Sequence, residues 1–231
     1  MTDRQTGYSS VDKPWLKYYS KDAINAILPN CSIYEYVKEN NKDKLDRFAI
    51  NFFGRRITYR KLFERIEETA AAFSQAGVKS GDVVTVVTLS CVNSVVCFYA
   101  LNKIGAVSDF INVLSNEADI QKFVTEDQSH IVVTMDLFAS KVLNAIKGTC
   151  VEKVVVYSLC EDMPIGPKIV MRTKTSKLMK SLRNESCVCI WNDFISTAGK
   201  SKVDEGGYDN DLCFFWAYRR NYWDTQNGNV D

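Results

Sequence analysis

A single histidine, His130, and eight cysteines are the residues of this 231-residue chain best suited to act as nucleophile, base or soft metal ligand. The cysteines stand at Cys31, Cys91, Cys97, Cys150, Cys160, Cys187, Cys189 and Cys213, and no two are spaced as CxxC. Cys187 and Cys189 are too close for an ordinary zinc half-site, and no second half-site complements them. Most of the cysteines are therefore expected to be small buried hydrophobes, neither bridged nor ligating. His130 stands just before an apolar run, and no Ser or Cys is placed to form a triad with it, so it reads as structural. No turn between the predicted strands and helices carries GxGxxG. The basic stretch Lys168 to Arg183 is either a solvated helix or a surface for a membrane or an acidic partner.

The balance of the whole chain narrows the classes further. Apolar residues make up 46% and charged residues 25%, with a formal net charge of +1. That is the balance of a globular domain, and it gives no electrostatic reason to expect nucleic acid or an anionic membrane as the partner, the basic run Lys168 to Arg183 being the only local exception. Met1 to Asp12 is polar and lacks the apolar core of a secretory signal. No apolar run approaches the roughly 20 residues that a membrane span needs. The expected location is the cytoplasm, with no transmembrane segment.

The elements that would position any site follow from periodicity. Residues 1–30 read as an irregular, aromatic-rich lead-in, and Ser32 caps a short helix to Val37. Phe48 to Phe53 and Ile57 to Tyr59 read as a hairpin turning at Gly54-Arg55-Arg56. Leu62, Phe63, Ile66, Thr69, Ala70 and Phe73 lie on one face of a helix that Thr58 caps and Gly77 ends. Val83 to Leu89 is a β-branched apolar run of the kind buried on both faces of a parallel sheet. A helix over Val92–Lys103 follows, with Val92, Val95, Val96, Tyr99 and Ala100 inward. Strands are predicted at Ala106 to Asn112, Ile131 to Met135 and Val151 to Tyr157. Between them come helices capped by Ser115 (burying Ile120, Phe123 and Val124) and by Asp136 (over Val142, Leu143 and Ile146). Strand and helix alternating in this way imply right-handed βαβ units and a parallel sheet. Met163-Pro164-Ile165-Gly166-Pro167 reads as a break before the basic helix, Val188 to Phe194 as one more short strand and turn, and 196–211 as a polar loop.

Several stretches carry a family resemblance. Lys13-Pro14-Trp15-Leu16-Lys17-Tyr18-Tyr19 resembles the lead-in of long-chain fatty acid–CoA ligases, within the adenylate-forming superfamily. Ile57-Thr58-Tyr59 with Leu62 resembles "TYxEL", and Gly77-Val78-Lys79-Ser80-Gly81-Asp82-Val83-Val84 resembles "GVxxGDxV". Ala100-Leu101-Asn102-Lys103-Ile104-Gly105-Ala106-Val107 resembles "ALxKxGAV". Asn112 to Ile120 resembles "NPxxxxxEI", with Val113 in place of proline. Each motif alone is weak; together, in this order and spacing, they are specific. The resemblance covers about residues 13–157, and more loosely extends to Asp211. It implies an α/β fold with a parallel βαβ sheet, the incomplete N-terminal region of the adenylate-forming ligase fold.

In that family an acidic pair and a strand lead into a Ser/Thr/Gly-rich loop, "TGGTTGxPK", which cradles the ATP phosphates. Asp209-Asn210-Asp211-Leu212 matches the acidic approach, but the loop is absent. Instead the chain reads Phe214-Phe215-Trp216-Ala217-Tyr218-Arg219-Arg220-Asn221-Tyr222-Trp223-Asp224-Thr225-Gln226. Tryptophan has the single codon TGG, so reading one base later forces Gly from Trp216 with Ala217, and again from Trp223 with Asp224. One permitted shifted reading is Gly-His-Thr-Gly-Gly-Thr-Thr-Gly-Thr-Pro-Lys, followed by Thr-Val-Met, which is the family's loop. The expectation is a frameshift near the thymine-rich codons of Phe214 and Phe215.

The resemblance thus implies a parent enzyme that joins a fatty acid to CoA through an acyl-adenylate, using ATP and magnesium. This chain is expected to be a truncated fragment without catalytic, cofactor-binding or metal-binding residues and without cofactors of its own. Its expected organisation is a lead-in and short helix over 1–47, a parallel α/β subdomain over 48–157, part of a second subdomain over 158–213, and an out-of-frame tail over 214–231. Asn112 matches a family position near the substrate cleft, and a role in bonding a strand-end backbone is equally open to it. Two other functions remain open: a non-catalytic module binding acyl groups or protein, and a small flavodoxin-like nucleotide binder. An unfinished sheet edge would also favour self-association through exposed apolar surface.

Overall fold

The structure is a computed structural model that describes residues 6–27, 29–198 and 214–216. The chain divides into two compact units, Met1–Asn30 and Cys31–Asp231. The first holds two single-turn helices, α1 (Ser9–Asp12) and α2 (Lys21–Ile24), on either side of a 3-10 turn at Pro14–Tyr18. Its order is local: the Asp12 carboxylate accepts from the backbone N–H groups of Thr6 and Gly7, both at 2.9 Å.

The second unit opens with α3 (Ile33–Asn40), where Ser32 and Glu35 form a reciprocal capping box. β1 (Phe48–Phe52) and β2 (Arg55–Thr58) make an antiparallel hairpin. Its turn lies at Phe53-Gly54, one step earlier than expected. Both residues have positive φ, 50° and 88°. Such a pair matches the right-handed twist of the flanking strands, and Asn51 Oδ1 pins it by accepting from Gly54 N–H at 3.1 Å.

Thr58 then caps α4 (Tyr59–Gln75), which buries the expected stripe from Leu62 to Phe73. Gly77, at φ 94°, ends it. The Gly77 N–H donates to Ser74 O and the Val78 N–H to Phe73 O, which satisfies two last-turn carbonyls.

From there strands and helices alternate: β3 (Val83–Val87), α5 (Val92–Lys103), β4 (Val107–Ile111), α6 (Glu117–Glu126), β5 (Ile131–Met135), α7 (Ala139–Ala145), β6 (Lys153–Tyr157), α8 (Ile165–Leu182), β7 (Val188–Ile190), α9 (Trp191–Ser196) and β8 (Phe214–Trp216). All six strands from β3 onward form one parallel sheet in the order β7-β6-β5-β3-β4-β8.

Two cores cover its faces. Val84, Val86, Val133 and Val155 pack with α4, α5 and α9. Val87, Val132, Val154 and Val156 pack with α6, α7 and the last turn of α8. Burial on both faces is why these strands are continuous apolar runs. The step from β3 to β4 carries its helix on one face. The step from β4 back across β3 to β5 carries its helix on the other. Reversing direction and face together keeps one hand throughout.

Several local expectations shift. Asn116, not Ser115, caps α6, accepting from Asp119 N–H at 2.8 Å. Asp136 lies in a 3-10 turn, Asp136–Phe138, ahead of α7. The Pro-rich break is already helix: Pro164 is the N-cap of α8, and Pro167 falls in its first turn, where a missing N–H costs nothing. Trp191 to Ser196 is a helix, not a turn. The boundary expected after residue 157 falls inside the sheet, because β7 pairs with β6. Of the seven described cysteines only Cys91, Cys97 and Cys160 are buried, while Cys150 is exposed. Cys213 and most of the 196–211 loop lie outside the described residues.

Candidate functional site: the carboxyl-end cleft

In an open parallel sheet, ligands bind outside the strand carboxyl ends, near the point where strand order reverses. Here the order reverses at β3, since β4 lies on one side of it and β5 on the other. A cleft of about 420 Å³ opens beside that point. Phe98, Phe110, Ile111 and Val113 give it apolar walls, and Thr88, Ser90, Ser94 and Asn112 supply polar groups. The Phe98 and Phe110 rings lie 6.5 Å apart between centroids.

The polar groups are largely committed to the fold. Ser94 Oγ accepts from Cys91 N–H at 2.9 Å and donates to Cys91 O at 2.7 Å, closing the start of α5. Asn112 Oδ1 accepts from Leu114 N–H at 2.9 Å, and Asn112 O accepts from Ser115 N–H at 2.9 Å, so the strand-end role is observed. Asn112 is nevertheless exposed on the cleft.

Behind the cleft, the buried Tyr157 OH contacts the Thr88 hydroxyl and lies 3.1 Å from Cys91 Sγ. Burial pushes the Tyr157 phenol well above its ordinary value, and neighbouring Cys91 adds to this. Tyr157 thus remains neutral and acts as a hydrogen-bonding post.

A second polar centre lies beyond β6. Asp162, 5% exposed, takes a bidentate grip from Arg65 at 2.8 and 3.0 Å. Arg55 stands 3.7 Å from the same carboxylate and donates to Glu161 O at 2.7 Å. Burial raises the Glu161 carboxyl, with the charge of Asp162 second. Sequence periodicity gave no sign of this centre, because Arg65 and Asp162 are 97 residues apart.

His130 and Asn112 are not brought together. His130 precedes β5 at the amino ends of the strands, about 16 Å of strand away from the carboxyl-end cleft. It is exposed, with Nδ1 3.3 Å from Glu152. Among the described residues no group of three or more His, Cys, Asp or Glu side chains could hold a metal ion. The turns after β3 and β5, Thr88-Leu89-Ser90 and Asp136-Leu137-Phe138, contain no glycine for a phosphate cradle. Among the described residues the site is a cleft with apolar walls and a rim of hydroxyl and amide groups. No helix among the described residues is long and apolar enough to cross a membrane.

A doubly wound parallel sheet with this cleft defines an α/β ligand-binding fold, and the comparisons narrow it. Residues 37–190 match the family described as "AMP-binding enzyme", and the chain belongs to that family. It is 25% identical over 166 residues to the long-chain-fatty-acid–CoA ligase of Bacillus subtilis (strain 168), a match covering 71% of this chain and 30% of the relative. It is 28% identical over 134 residues to the acetyl-coenzyme A synthetase of Helicobacter pylori (strain G27), covering 55% of this chain and 19% of the relative. The fold matches a benzoate CoA ligase from Burkholderia xenovorans LB400 with a TM-score of 0.61 at 18% identity, over 80% of this chain and 32% of that one. The chain thus spans about a third or less of the proteins it resembles.

Proposed function

We propose that this chain is the N-terminal segment of an ATP-dependent fatty acid–CoA ligase and does not by itself form an acyl-adenylate. The carboxyl-end cleft, with Asn112 at its polar rim, contributes one wall of the parent's substrate site. The parent's cofactors are ATP, magnesium and CoA.

The observation that carries this reading is the register of β8. Trp216 pairs opposite Phe110, two residues before Asn112 on the neighbouring strand. In the shifted frame the codons of Trp216 and Ala217 begin the Ser/Thr/Gly-rich loop. A phosphate cradle would then start beside the cleft, at the strand end where this architecture places one. In the printed frame the sequence there is Ala217-Tyr218-Arg219-Arg220, without the glycines that such a loop needs.

Two measurements test the proposal. The nucleotide sequence across codons 205–231 should continue, one base later, into the rest of a ligase. If no shifted frame does so, the tail is genuine and the frame argument fails. Purified chain should show no ATP–pyrophosphate exchange with any fatty acid. Exchange above a no-enzyme blank would show that the chain is itself catalytic.

A further inference from the structure

The helix α8 shows two opposite halves. Thr175 and Leu182 are buried, and Leu178 and Met179 pack against the second core, so this stripe anchors the helix to the sheet. The outer half has a different composition. Ile165, Ile169 and Val170 are 78%, 60% and 54% exposed. Arg172, Lys174, Lys177 and Lys180 are exposed around and beyond them.

The helix contains no Asp or Glu. Of the acids flanking it, Asp162 is engaged by Arg65 and Asp193 by Arg183 at 2.9 Å, and among the described residues neither Glu161 nor Glu185 forms an ion pair with the helix. Among the described residues Arg172, Lys174, Lys177 and Lys180 make no ion pair. A concentrated cationic helix in a chain of net charge +1 leaves the rest of the molecule net acidic.

We propose that the outer face of α8 docks on an anionic lipid bilayer surface. A solvated helix would pair its cations with i±4 acids and would not add aliphatic side chains to its outer face. Cations together with exposed aliphatics, on a helix too short of apolar residues to insert, are what an interfacial helix needs. The aliphatic side chains enter the headgroup boundary, and the basic side chains reach the anionic headgroups. An acidic protein could match the charge. A bilayer, however, accepts a convex helix face without a shaped groove and takes up its aliphatic side chains at the same time. This inference is independent of ligase activity.

The test is co-sedimentation of the full chain with vesicles, without fatty acid or nucleotide. Phosphatidylcholine vesicles containing phosphatidylserine should carry the chain down, and pure phosphatidylcholine should not. Binding should vanish as salt rises from about 0.1 M to about 1 M, where screening shortens to about 3 Å. Lys174→Gln and Lys177→Gln should each weaken binding about fivefold. Ile169→Ser should also weaken it. All three side chains are exposed, so an unchanged circular dichroism spectrum separates lost binding from lost fold. Equal binding to neutral and anionic vesicles, indifference to these substitutions, or no sedimentation would each overturn the proposal. Retention on immobilised polyglutamate without vesicle binding would assign the face to an acidic protein instead.

Discussion

Glu67 shows how single side chains bind this fold together. Its carboxylate accepts from the Tyr34 OH at 2.5 Å and from Lys38 at 3.2 Å, and it lies 3.3 Å from the buried Lys103. Partial burial pushes the carboxyl up, but the Tyr34 hydrogen bond and the two lysines outweigh it and hold it below its ordinary value. A group held below its unfolded value stabilises the fold above that unfolded value, about pH 4.3. The contribution is lost as pH falls through the folded value. Glu67→Gln should therefore be less stable than the parent at pH 7, and the gap should narrow as pH is lowered to about 3. Urea midpoints at the two pH values check this, and a gap independent of pH would refute it. Asn112 illustrates what residue type alone cannot decide. Its family position was legible in the sequence, and so were both candidate roles. Only the structure showed Oδ1 spent on Leu114 N–H.

At the scale of elements, the best-read parts were those with local causes. The stripe on α4 and its Thr58 cap match expectation, as do the limits of α5 and β5. Gly77 stops α4 because its φ of 94° is strained for any residue with a Cβ. A Cβ there would meet nothing within 4 Å. Gly77→Ala should therefore cost about 1 kcal/mol from backbone strain alone. Chemical denaturation measures it, and a loss below a few tenths would show that the cap is not under strain. The elements misread were those whose partners lie far away. α8 begins three residues before the basic run, because Pro164 and Pro167 occupy positions where helices tolerate proline. α5 is buried almost all round rather than on one face, with Cys97 and Leu101 fully inaccessible. It is packed by α3, α4 and the sheet, and no period-3.6 pattern announces that.

For the whole molecule, the exposed apolar surface beside the cleft is the feature with the largest physical consequence. Leu89 is 44% and Leu114 83% exposed, next to the walls formed by Phe98 and Phe110. Contiguous apolar surface of this kind drives association. Light scattering on a sizing column should give a mass that rises with loading concentration. A constant monomer mass across the range would show that the surface is too small or too well hydrated to pair.

The sequence by itself determined the class of fold and the family. Alternating strands and helices, turn glycines and buried stripes are local, and each follows from the conformational preferences of a few adjacent residues. It also carried the codon constraints on which the proposed shifted phosphate loop rests, because they lie in residue identities and not in contacts. Only the tertiary structure decided the strand order, the placement of His130 and Asn112 at opposite ends of the sheet, and the Arg65–Asp162 grip. It also decided which half of α8 faces outward. These depend on pairings between residues far apart in the chain, and nothing in the neighbouring sequence records which partner each will meet.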